Sequence, residues 1–167
     1  MRIQEIEGLK SYHNPVDVLE AIFDANEWPF DRHGENEIAI ETTGGWCDQR
    51  ILFIWQEDYH CLYFTCRMDL RVSEERRQEL DHLLSYVNSN MWMGHFDLCP
   101  EDGAPTFRHA IPLRGMGCAS PELIEDLIDV ALGECERFYP AFQLVLWGNY
   151  DCESAVRAAM LECQGEA

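Results

Sequence analysis

Positive charge is scarce in this chain: twelve Lys and Arg, with Lys10 the only lysine, face 31 Asp and Glu for a formal net charge of -19. Such a surface repels phosphate backbones and anionic lipid headgroups, which argues against nucleic-acid and membrane partners. Basic or amphipathic polypeptides and divalent cations remain compatible with it. Long apolar runs are missing too. No stretch approaches a membrane span, and MRIQEIEGLKSYHNP carries acids where a secretory leader carries bases, so a cytoplasmic protein is expected. The eight cysteines (Cys47, Cys61, Cys66, Cys99, Cys118, Cys135, Cys152, Cys163) contain no CxxC. Several lie at apolar positions of periodic segments and read as free thiols. With no internal repeat, low-complexity tract or linker, residues 1–167 read as one domain with its core from about 14 to 163.

What is present is apolar material in plenty. Hydrophobic residues make up 47% of the 167, including five Trp and eight Phe, enough for an ordinary core despite the charge. The acid is spread along the chain: 3 basic and 10 acidic side chains in 1–43, 7 and 11 in 44–117, 2 and 10 in 118–167. Asn14-Pro15 opens a helix whose Val18, Leu19, Ile22 and Phe23 share a face. A short strand at FDRHG, then EIAIETT, QRILFIWQ and HCLYFTCRMDLRV, form a meander with turns at TTGGW and QEDYH. Ser73 opens a second helix striped by Leu80, Leu83, Leu84 and Val87. Strands WMGHFDL and TFRHAIPL follow, joined by CPEDGAP. Ser120-Pro121 start a third helix, with stripe Leu123, Leu127, Ile128, Ala131, Cys135 and Phe138. Pro140 inside FYPAFQLVLW predicts a kink or restart, and a short helix from Asp151 closes the chain. The order predicts an α+β fold, a two-layer sandwich of antiparallel sheet with helices mainly on one face.

The stretch MWMGHFDLCPEDGAPTFRHAIPLRG holds the candidate chemistry. A hairpin centred on Asp102 sets His95 opposite His109 and Asp97 opposite Phe107, so His95, Asp97 and His109 share a face, enough for a divalent metal with open positions. A one-residue slip sends His109 to the other face. The bland alternative is a cross-strand histidine pair, with Asp97 and Arg108 tying loops to the sheet. GGWCD presents Cys47 as a possible nucleophile, or is a plain Gly-Gly turn. LRGMGCAS offers amides to an anion, or is a tight turn capped by Ser120; it lacks the Walker lysine and the third Rossmann glycine. EERRQELDH reads as a solvated helix face. No cofactor is expected.

The strings MWMGHFDL, PTFRHAIPLRG, GECERFYPAFQLVLWG and TTGGWCDQRILFIWQ resemble the YbjN family, whose name assigns its members to bacterial sensory-transduction regulation. The likeness covers about residues 15–163. It implies a fold like that of type III secretion chaperones, α-β-β-β-α-β-β-α, in small, acidic, often dimeric proteins without enzymatic activity. The C-terminal helical extension departs from that pattern and puts the chaperones' dimer geometry in doubt. The family supplies no catalytic residues to transfer.

The sequence therefore predicts a non-enzymatic cytoplasmic binding protein, chaperone-like or a regulatory adaptor, holding a polypeptide partner or a second copy of itself. Phe138, Tyr139, Phe142, Leu146 and Trp147 are the candidate partner or dimer surface, with plain core as the other reading of the same residues. The alternatives are a metal-dependent enzyme or sensor using His95, Asp97 and His109, and thiol sensing through Cys47 or Cys118.

Overall fold

The computed structural model describes residues 14–116 and 119–162. Four helices and six strands follow in the order α1 Pro15–Ala25, β1 Phe30–Arg32, β2 Glu37–Thr43, β3 Asp48–Gln56, β4 Cys61–Met68, α2 Glu74–Ser89, β5 His95–Leu98, β6 Pro105–Pro112, α3 Pro121–Gly148 and α4 Cys152–Glu162. The strands form one antiparallel sheet in the order β1-β2-β3-β4-β6-β5.

Local chemistry sets the boundaries. The Asn14 side chain accepts from Val16 N and Pro15 takes the first helical position of α1, while the Ser120 hydroxyl does the same for Leu123 N at α3. β5 is shorter than the apolar run predicts because Gly94 takes φ +69, and its Cα approaches the Phe107 ring so closely that a Cβ would lie 2.4 Å from Cζ. Only glycine fits both demands.

Alternation then sorts the sheet into two faces. Ile51, Phe53, Leu62, Phe64, Cys66, Met68, Phe96, Leu98 and Phe107 are buried with the apolar stripes of all four helices in one cluster. Their neighbours Arg50, Leu52, Ile54, Tyr63, Arg67, Arg108, His95 and Asp97 stay half-buried or exposed on the other side. The result is an α+β fold with helices over one sheet face. Phenylalanine rings run through the core from Phe23 to Phe53, Phe64, Phe107, Phe96 and Phe142, each step with centroids 5.0–6.2 Å apart.

Helix α3 does not restart at Pro140; it runs unbroken from Pro121 to Gly148. An interior proline costs about 3 kcal/mol through its missing donor and its clash with the preceding turn. Burial of Phe138, Tyr139, Ala141, Phe142, Val145 and Leu146 around it outweighs that, at roughly 1.5–3 kcal/mol for each large apolar side chain.

Candidate functional site

The hairpin that held the candidate metal site adopts the other parity. His95 lies opposite Arg108, Phe96 opposite Phe107 and Asp97 opposite Thr106, one residue away from the expected register. His95 and Asp97 are exposed on the open face, while His109 lies opposite Phe64 on the helix-covered face. The cause is apolar: Phe96 and Leu98 must share a face with Phe107, and a register of this parity provides that while the expected one does not. Asp97 pairs with Arg108 at 3.5 Å, and Arg108 donates to the Tyr63 hydroxyl at 2.8 Å. Burial, with His95 adding to it, lowers the His109 imidazole below its ordinary value. Among the described residues no three His, Cys, Asp or Glu side chains converge as a metal site.

The expected partner surface also needs correction. Phe138, Tyr139, Phe142 and Leu146 are core side chains, with Phe142 fully buried against Phe96. Trp147 alone of the five is exposed, at 63%. It lines a groove of about 440 Å³ with Trp46, Pro140, Gln143, Leu144 and Gly148. Trp46 is 51% exposed and stacks on Tyr139 with centroids 6.0 Å apart and planes within 13°. Two large indoles left in water beside one helix form an apolar patch of the kind that partners cover.

Trp46 owes its place to the turn between β2 and β3. Gly44 N donates to Cys47 O at 3.0 Å, and Gly45 N donates to Glu136 Oε1 at 2.8 Å. The same carboxylate oxygen accepts from Gln49 Nε2 at 3.0 Å. A Cβ on Gly44 would lie 2.2 Å from that oxygen, so the glycine is what lets α3 grip the turn. Behind it Cys66 Sγ donates to Gln49 Oε1 and Cys135 Sγ to Cys66 Sγ, both at 3.7 Å.

This clamp does not activate a nucleophile. Burial raises the Cys47 thiol, with Glu136 and Asp69 adding negative charge against one hydrogen bond from the Asp69 backbone. Burial and Cys66 hold the Cys135 thiol well above the ordinary range. Thiolate is thereby disfavoured at Cys47, contrary to what sensing by that residue needs. Cys118 lies outside the described residues. So does Gly117, which leaves the LRGMGCAS turn described only at its two ends, where Ser120 caps α3.

A second cavity, about 410 Å³, lies where β2, β3 and β4 meet, lined among others by Arg50, Arg67, Glu41, Asp48 and Asp69. Arg50 and Arg67 are directly opposite on adjacent strands, an unfavourable pairing of like charge. Glu41 at 3.1 Å from Arg50 and Asp102 beside Arg67 offset it.

The YbjN family model, described as "putative bacterial sensory transduction regulator", matches residues 15–144. No curated protein matches the chain. Among solved structures, the crystal structure of YbjN, described as a putative transcription regulator from E. coli, is 12% identical, over 89% of this chain and 90% of that one, with a TM-score of 0.49. No helix among the described residues is long and apolar enough to cross a membrane.

Proposed function

Because this chain belongs to the YbjN family, we propose that it is a non-enzymatic regulatory adaptor that works by holding another polypeptide. The observation that carries this reading is the groove lined by both Trp46 and Trp147, whose indoles are each more than half exposed and share one pocket. The binding surface moves accordingly from the five α3 residues to Trp46, Gln143, Leu144 and Trp147. The thiols of Cys47, Cys135 and Cys152 are all raised rather than lowered, which suits a binding role better than a nucleophilic one.

Affinity purification from the native host tests it. Trp147→Ala removes a groove wall and should lose a partner that wild type retains. Trp92→Ala, which removes an indole 75% exposed on the β5 side, should retain it. Equal retention by both variants, or equal loss, would contradict the groove.

A further inference from the structure

We propose that the Trp46–Trp147 groove takes a basic segment of its partner polypeptide, with an arginine or lysine side chain lying over the exposed indoles; this rests on the polypeptide-binding reading above. Tryptophan is the strongest of the aromatic faces for a cation, and the effect grows when the pair is withdrawn from water, as in a groove. Among the described residues, those lining the groove include no Lys or Arg. Among the described residues, Arg76 beside α3 and Arg137 on it are committed elsewhere. Arg76 donates to Val145 O at 2.6 Å and pairs with Glu79, and Arg137 pairs with Glu134 and contacts Met160 Sδ.

Negative charge, by contrast, stands beside the Trp46 wall of the groove. Glu136 is fixed at the base of the Trp46 turn. Three residues past Gly148 in the chain, Asp151 accepts from Ser154 N at 3.0 Å, and that bond holds its carboxyl below the usual range. Beyond them lies a whole-molecule charge of -19, which draws cationic chains toward the surface.

The same field decides against a second copy as the occupant. A homodimer would bring together two chains that each carry a net charge of -19. A basic heterologous chain gains where a second copy is repelled.

Three labelled peptides of about twelve residues, with leucines at the same positions and arginine, glutamine or glutamate between them, separate the possibilities by fluorescence anisotropy. The arginine peptide should bind about tenfold tighter than the glutamine peptide at low salt, and the advantage should shrink at about 0.5 M NaCl. Trp147→Leu, which keeps an apolar wall but removes the ring, should erase most of that advantage, and Trp92→Ala should not. If the glutamine and arginine peptides bind equally and Trp147→Leu weakens both, the groove holds polypeptides but the cationic preference is wrong. If no peptide binds, or Trp147→Leu changes nothing, both readings fail. Concentration-dependent self-association that buries Trp147 would make a second copy the occupant and overturn the proposal.

Discussion

The β5–β6 hairpin and the Gly44–Cys47 turn divide the molecule's residues in opposite ways. The hairpin carries two histidines, an aspartate and an arginine, the side chains associated with chemistry, yet its geometry serves packing: Phe96 on Phe107 within the core and Arg108 on Tyr63 and Asp97 outside it. The turn carries two glycines and an indole, and its geometry serves presentation: α3 grips the backbone through Glu136 so that Trp46 stands in water against Tyr139. Residue type points to the first region and exposure to the second. For the binding role proposed above, exposed apolar surface is the better guide, because polar side chains that do not converge form no site.

The largest effect should come from the shared core beneath both regions. Phe142→Ala removes a fully buried ring packed on Phe96, and should lower stability by about 3–5 kcal/mol in urea titration. A change below about 1 kcal/mol would place Phe142 at a surface after all. Next comes Gly94→Ala, which puts a Cβ against Phe107 at a positive φ. A loss of about 2–4 kcal/mol is expected, read by thermal unfolding.

Glu136→Ala tests the turn. It leaves the buried Gln49 amide without its acceptor and releases Gly45 N, for a loss of about 1–3 kcal/mol. The Trp46 indole resonance should broaden as the stack on Tyr139 loosens. Trp147→Ala should change stability by no more than about 0.5 kcal/mol, since it removes an exposed ring. That contrast with Phe142 separates core from surface within one helix.

The smallest effect concerns pH. Because the folded His109 imidazole lies below its ordinary 6.5, the unfolded chain takes up that proton first as pH falls. Its contribution is therefore complete above about 6.5 and is lost on acidification through the window below it. His109→Gln should flatten that part of the pH dependence of the urea midpoint.

The element order was legible throughout. Asn14-Pro15 and Ser120-Pro121 marked helix starts that the structure confirms by side-chain caps, and the alternation of QRILFIWQ and HCLYFTCRM marked the paired central strands. The hairpin register was legible as well, from the parity of Phe96, Leu98 and Phe107. Centring the loop on Asp102 ignored that the apolar face, not loop symmetry, selects the register. Of the two outcomes expected at Pro140, a kink or a restart, the restart was excluded by tertiary burial, which no local rule carries. The groove was not legible: Trp46 and Trp147 lie far apart in the chain, and nothing periodic links a turn residue to the last turn of a helix.

The most direct test follows the indole N–H resonances of all five tryptophans while the arginine–leucine peptide is titrated in. Trp46 and Trp147 should shift together and saturate together. Trp28, half-buried against Phe23, and Trp92, exposed beside the hairpin, should stay where they are. A shift centred on Trp92 with Trp46 and Trp147 unmoved would return the binding surface to the hairpin and contradict the account.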